Sequence, residues 1–101
     1  MTQNMKSYDD VMAQRLDAMT DKERAAYESS RVEADLALDI AQAIYDARVQ
    51  AGLTQAQLAK AMGVTQSHVS ALEGGAGIPS LRTLAKVAHA VGLHLKVEIA
   101  A

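Results

Sequence analysis

Residues 52–75 read GLTQAQLAKAMGVTQSHVSALEGG and contain two short helical patterns separated by a glycine. Thr54 and Gln57 have the spacing of a capping box, in which each side chain accepts a hydrogen bond from the other residue's backbone amide. A helix is therefore predicted to start after Thr54, and Gly63 has the conformational freedom to end it. Thr65 then has the residue type and position expected for the N-cap of a second short helix.

The two predicted helices enclose a small buried face. Aliphatic and small side chains recur at helical spacing on both, namely Leu58, Ala59, Met62, Val69 and Leu72. The alanine allows the helices to cross closely, because it has no side chain beyond Cβ. Two short helices joined by a tight turn that begins at a glycine have the geometry of a helix-turn-helix unit.

The segment before this unit is also predicted to be helical. Thr20 and Glu23 form a second capping-box pattern. An apolar stripe follows at Val32, Leu36, Ile40, Ile44 and Ala47, and Leu38, Ala41 and Tyr45 widen it. Gly52 suits the C′ position at the end of this helix. The pattern does not decide between one long helix and two helices with a break near Ser29 and Ser30. Residues 1–19 are weakly patterned, which fits a short helix or a segment that becomes ordered only on a partner.

The segment after the unit contains one more helix and then changes period. Ser80 is the predicted N-cap of that helix, and Gly92 ends it. Apolar and polar residues then alternate, which predicts a strand with Leu93, Leu95, Val97 and Ile99 on its buried face. A lone strand needs a ladder partner, so we predict pairing with the same strand in a symmetric dimer. The alternative is a strand that lies back on its own helices or on the N-terminal segment.

Charge is distributed unevenly along the chain, whose net charge is −2. Residues 1–46 carry 5 Lys and Arg against 10 Asp and Glu, giving −5, and residues 47–101 carry 5 against 2, giving +3. This asymmetry favours one basic and one acidic partner, although a solvated acidic helix face explains the first half equally well. We therefore predict an acidic N-terminal helical extension over 1–46 and a second domain over 47–101.

Several classes of function find no support in the sequence. The absence of cysteine excludes disulfides and thiolate metal sites, and no signal peptide or apolar run of about 20 residues is present. Ser67 and His68 have no evident Asp to orient them, and the glycines at 74, 75 and 77 lack the lysine of a phosphate-binding loop. The three histidines, His68, His89 and His94, do not form a metal-ligand set. We expect a soluble cytoplasmic protein with no enzymatic activity, cofactor, metal or membrane segment.

The sequence of residues 47–92 resembles the Cro/C1-type helix-turn-helix family of phage and bacterial repressors. The motifs that carry the resemblance are Leu53-Thr54-Gln55, Leu58-Ala59, Gly63-Val64-Thr65-Gln66-Ser67, Glu73-x-Gly75 and Pro79-Ser80-Leu81. The resemblance implies sequence-specific binding to double-stranded DNA, with the second helix of the unit in the major groove. The expected fold class is an all-α Cro/C1-type bundle with an N-terminal helical extension and the C-terminal strand described above.

The resemblance also implies which residues contact DNA. The predicted set is Gln55, Thr65, Gln66, Ser67, His68, Ser70, Ala71 and Arg82. Gln66 is the best candidate base reader, because a glutamine amide pairs bidentately with adenine. Gln55 and Arg82 are expected to contact phosphate, with Lys60 and Lys86 as further sources of positive charge. His68 is as readily explained as an exposed polar residue.

A structural pair is implied as well. Arg48 and Glu73 are similar to the partly buried ion pair that joins the family's first helix to the end of its recognition helix. Loss of one partner should cost a few kcal/mol, because the other charge would remain buried. Glu73 is therefore not expected to contact bases.

The arrangement of an acidic extension before the helix-turn-helix resembles HigA-like antitoxins, which bind small basic ribonuclease toxins of the HigB/RelE type. That resemblance implies a homodimer that represses its own operon, and a toxin contact through the apolar residues Tyr8, Met12, Leu16, Met19 and Tyr27. One alternative is a stand-alone repressor or restriction-system controller. Another is a protein-interaction adaptor without DNA binding, against which Gln55 and Gln66 argue.

Overall fold

The computed structural model describes residues 8–101, including the side chains of residues 11, 13–15 and 17–101, and every regular element in this part is an α-helix. The helices are α1 (Tyr8–Ala18), α2 (Asp21–Gln50), α3 (Gln55–Met62), α4 (Gln66–Glu73) and α5 (Leu81–Ala90). The predicted all-α class is confirmed.

Two compact units make up the chain, Met1–Val32 and Glu33–Ala101, and the division falls within α2. The prediction placed a boundary later, after Asp46. In the described part of the first unit, Thr20 Oγ1 accepts a hydrogen bond from the Glu23 amide at 3.1 Å. This is one of the two bonds of the predicted capping box.

Helix α2 is continuous through Ser29 and Ser30, which settles the alternative that the sequence left open. Its end follows the prediction, because Gly52 has a φ of +73° and donates its amide hydrogen to Val49 O at 3.0 Å. A glycine adopts this left-handed conformation without the steric penalty of a side chain.

The core of the second unit lies where α3, α4 and α5 pack against the last turns of α2. Its buried members are Ile44, Leu58, Ala59, Met62, Val69 and Val87. Of the stripe predicted along α2, only Ile44 is buried, whereas Val32 and Leu36 are exposed. Ala41, which widens the predicted stripe, is buried, and Ala37 is buried as well, because the inward face of α2 follows Ala37, Ala41 and Ile44 at helical spacing.

The three short helices start and end as their sequences predict. Thr54 forms the complete capping box with Gln57, with bonds of 3.1 and 2.8 Å, and Gly63 ends α3 at a φ of +72°. Thr65 and Ser80 cap α4 and α5, each accepting from the amide three residues later at 3.1 Å. These caps satisfy amides that short helices would otherwise leave unpaired.

The strand predicted at the C-terminus is wrong for the single chain. Residues 93–101 contain no strand, and after the bond from the Leu93 amide to Ala88 O, at 2.8 Å, no described backbone hydrogen bond involves this segment. The alternating residues Leu93, Leu95, Val97 and Ile99 are all exposed. The physical reason is that a strand exists only with a ladder partner, and the described elements of this chain are helices with no free sheet edge.

Candidate nucleic-acid interface

Helix α4 has one buried and one exposed face. Val69 is 0% exposed and Leu72 is half-buried, which fixes the helix against the core. The five predicted DNA-reading residues that belong to α4 are all exposed: Gln66, Ser67, His68, Ser70 and Ala71. The helix therefore presents amide, hydroxyl and imidazole groups from a backbone that packing holds in place.

Thr65 caps the N-terminus of α4. Its hydroxyl accepts from the His68 amide, so its own capacity to contact another molecule is partly used by the cap. His68 and Ala71 line a shallow cleft with residues of the following loop, including Gly77 and Ile78. The loop thus lies beside the exposed face of α4.

Gln55 begins α3 and is half-buried rather than fully exposed. Its Nε2 donates a hydrogen bond to Glu73 Oε1, with the two atoms 3.3 Å apart. The sequence placed Gln55 on the DNA-facing side but gave no indication of this bond, which connects the first residue of α3 to the last residue of α4.

Arg48 and Glu73, predicted as an ion pair, meet in a bidentate geometry. Arg48 Nε donates to Glu73 Oε2 at 2.7 Å, and Nη2 donates to Oε1 at 2.9 Å. Their side chains are only 12% and 6% exposed. Two parallel charge-assisted bonds with little solvent access fix the relative position of α2 and α4.

Arg48 has further partners that sequence reasoning missed. Its Nη1 donates to Leu53 O at 2.9 Å, and its guanidinium lies 5.2 Å from the centre of the Tyr45 ring. The hydrogen bond to Glu73 raises the pKa of Arg48, and this effect exceeds the opposing effect of burial. The spacing of Tyr45 and Arg48 on one helix face was the only available signal.

Arg82 lies in a different place from the α4 surface. It lines a cleft between α3 and α5 with Lys86 and His89, next to Ala61 and Met62. Arg82 therefore shares its cleft with the basic side chain of Lys86 and does not line the cleft beside His68.

The predicted toxin contacts are described only in part. The side chains of Tyr8, Met12 and Leu16 lie outside the described residues. Met19 and Tyr27 are both half-buried within the first unit. Their use in partner binding stays a prediction.

The second unit also has a wide apolar groove of about 750 Å³. It is bordered by α2, the loop before α5, α5 itself and the C-terminal segment, with Leu36, Ile40, Ile78, Leu81 and Val97 among its lining residues. Leu81 and Val97 are 62% and 65% exposed. This area of exposed aliphatic surface is not covered by any described part of the chain.

No group of three or more His, Cys, Asp or Glu that could hold a metal ion occurs among the described residues. In the same part of the chain, no helix is long and apolar enough to cross a membrane.

Comparisons with known proteins agree with this geometry. A sequence model of the helix-turn-helix family matches residues 44–97. A control-region protein of 10 kDa from the ImmF region of Bacillus phage phi105 is 37% identical over 54 residues, which are 54% of this chain and 60% of that protein. The chain thus spans less than two thirds of that relative.

The structural comparison extends further along the chain. A chain from a toxin–antitoxin module of Streptococcus pneumoniae matches with a TM-score of 0.51 and 27% sequence identity. The match covers 95% of this chain and 94% of that chain. It therefore includes most of the extension as well as the helix-turn-helix.

Removal of one partner of the ion pair should destabilise the protein. We expect Glu73→Ala to lower the free energy of unfolding by about 3 kcal/mol, because the Arg48 guanidinium would stay largely buried without its carboxylate. The measurement is urea denaturation followed by circular dichroism. As a control, Arg48→Met combined with Glu73→Met removes both charges and should stay within about 1 kcal/mol of the wild type. An unchanged midpoint for Glu73→Ala would contradict the expected contribution of the pair.

Proposed function

This chain belongs to the helix-turn-helix family of the Cro/C1 type, and from that premise we propose that it binds a specific operator and represses its own operon. The observation that carries the proposal is the orientation of α4. Val69 anchors this helix in the core, and Gln66, Ser67 and His68 are exposed near its N-terminus. A recognition helix of this family enters the major groove with those residues towards the bases.

Each predicted contact has a separate role in this proposal. Gln66 reads a base edge, since its amide offers a donor and an acceptor in the plane that adenine requires. Ser67, His68, Ser70 and Ala71 contact neighbouring bases or the sugar-phosphate backbone, and Thr65 contributes its backbone beside them. Arg82 binds phosphate with help from Lys86, which shares its cleft.

We further propose that the protein is an antitoxin that neutralises a small basic toxin of the HigB/RelE type. The match to a chain of a toxin–antitoxin module supports this proposal, because it spans nearly the whole of both chains and includes the extension. The charge of the extension also supports it, since residues 1–46 carry a net −5. Met19 and Tyr27, with Tyr8, Met12 and Leu16, would provide apolar contacts within this acidic segment.

A stand-alone repressor is the second candidate function. The similarity to a control-region protein of a Bacillus phage favours it, because that match falls on about half of this chain and does not require a toxin. The two candidates share operator binding and differ in what the extension binds.

We also propose that the protein forms a homodimer, in which a second copy of the chain covers the apolar groove. The C-terminal segment is complementary to itself when two copies run antiparallel about Val97. Lys96 then faces Glu98 of the second copy, and Leu95 faces Ile99, so that charges pair on one side and aliphatic side chains on the other. Such a two-fold arrangement would present two α4 helices to the two halves of a palindromic operator.

The base-reading role of Gln66 can be tested on operator fragments recovered by selection from a random duplex pool. We expect Gln66→Ala to weaken specific binding by about 1–3 kcal/mol and to leave binding to unrelated DNA unchanged. Arg82→Ala is the comparison, because loss of a phosphate contact should weaken both kinds of binding and lower the salt slope by about 1. Equal losses for Gln66→Ala on both kinds of DNA would assign it to the backbone.

The antitoxin role can be tested by affinity capture from the native host with the tagged full-length chain. We expect capture of one small basic protein, and its loss when Tyr27→Asp places a charge in the proposed apolar contact. Ala85→Asp on the exposed surface of α5 is the control and should retain the partner. If no basic protein is captured while an operator fragment is retained, the chain is a stand-alone repressor.

The dimer can be tested by sedimentation velocity over a range of protein concentrations. We expect Val97→Asp to shift the protein to monomers, since two carboxylates would face each other on the two-fold axis. Ala100→Asp adds the same charge three residues away from the axis and should leave the dimer intact. A dimer that persists in Val97→Asp at low concentration would show that the C-terminal segment is not at the interface.

A further inference from the structure

The hydrogen bond between Gln55 and Glu73 has a consequence for DNA binding. We propose that Glu73 is a positioning residue, which holds the Gln55 amide in the one orientation that donates to a DNA phosphate. Glu73 itself does not touch DNA in this proposal. The inference rests on the proposed operator binding and on the phosphate contact that the family resemblance implies for Gln55.

The chemistry of a primary amide explains why its orientation matters. Gln55 has two N–H donors on Nε2 and a carbonyl oxygen that only accepts. A phosphate oxygen also only accepts, so it binds the amide nitrogen and is repelled by the amide oxygen. A freely rotating glutamine presents either end, and ordering its rotamers on binding costs conformational entropy.

Glu73 removes this ambiguity. An ionised carboxylate accepts hydrogen bonds and donates none, so only the nitrogen end of the amide can face it. With one N–H used at 3.3 Å from Nε2 to Glu73 Oε1, the second N–H on the same nitrogen remains for phosphate. Gln55 is half-buried, which further restricts its side chain.

Glu73 can act in this way because it is itself held firmly. Its two oxygens accept from Arg48 Nε and Nη2 at 2.7 and 2.9 Å, and its side chain is 6% exposed. Arg48 Nη1 also binds Leu53 O, two residues before Gln55 in the chain. One guanidinium therefore positions both the carboxylate that orients the amide and the backbone that leads into α3.

The experiment compares two backgrounds that differ in the acceptor for Gln55. Arg48→Met with Glu73→Gln keeps a carbonyl oxygen at position 73, whereas Arg48→Met with Glu73→Met has none. Both lack the charged pair, so neither leaves a buried charge alone. Gln55→Ala is then added to the wild type and to each background. Affinity for a fluorescent mixed-sequence duplex is measured by anisotropy, and thermal unfolding verifies that each protein is folded.

In the wild type, we expect Gln55→Ala to weaken binding about tenfold, the value of one charge-assisted hydrogen bond. The loss should fall to about twofold when position 73 is methionine. It should lie between twofold and tenfold when position 73 is glutamine, because glutamine keeps the carbonyl acceptor but also has an N–H₂ group that can donate to the amide oxygen of Gln55. Partial rescue by glutamine, relative to methionine, is the readout that a purely structural role for Glu73 would not give. Equal losses in the two backgrounds overturn the proposal.

The remaining outcomes separate this proposal from operator binding itself. If the wild type binds DNA and Gln55→Ala changes nothing, the positioning role is wrong and DNA binding stands. If the wild type binds no DNA, both the positioning role of Glu73 and the proposed operator binding are wrong.

A second measurement on the unmodified chain avoids any variant that does not fold. The Gln55 side-chain amide should have a higher NMR order parameter than that of the exposed Gln66 in the free protein. Equal values overturn the proposal.

Discussion

The bidentate ion pair between Arg48 and Glu73 is the interaction on which the helix-turn-helix unit depends. It joins the end of α2 to the end of α4, and Arg48 also holds the Leu53 carbonyl oxygen before α3. The guanidinium of Arg48 therefore joins α2, α4 and the loop that leads into α3, and the Arg48 side chain is only 12% exposed. Because α3 and α4 are each 8 residues long, neither would be stable alone, and their relative position must come from such tertiary contacts.

The small core of the second unit also constrains how the helices pack. Leu58 and Val69 are the largest side chains that are fully buried, and alanines at 37, 41 and 59 allow the helices to approach closely. Close approach brings the Val69 face of α4 inward and leaves its polar side chains outside. The surface proposed to read DNA is therefore a direct result of how the core packs, and it requires no specialised loop.

The negative charge of the extension over residues 1–46 is concentrated in its second part. Residues 1–32 carry 5 basic and 6 acidic side chains, whereas residues 33–46 carry Glu33, Asp35, Asp39 and Asp46 and no Lys or Arg. Most of the negative charge assigned to the extension thus lies on the part of α2 that belongs to the second compact unit. A basic partner that follows the charge would approach α2 as well as the first unit.

The sequence by itself determined the helices α3, α4 and α5 and their ends. Thr54, Gly63, Thr65 and Ser80 act through bonds to amides within a few residues, or through their own backbone freedom, so local sequence is sufficient to locate them. It also determined that Leu58 and Val69 are buried, because helical periodicity depends on neighbours in the chain.

Only the tertiary structure decided the contacts between distant residues. The hydrogen bond from the Gln55 amide to Glu73 and the bond from Arg48 to Leu53 O both depend on how the helices pack. The burial of Ala37 rather than Leu36 on α2 depends on the same packing. The predicted C-terminal strand is absent for the same reason. The alternation of Leu93, Leu95, Val97 and Ile99 is a local pattern, whereas a β-ladder requires a second strand, and the described part of the chain contains none.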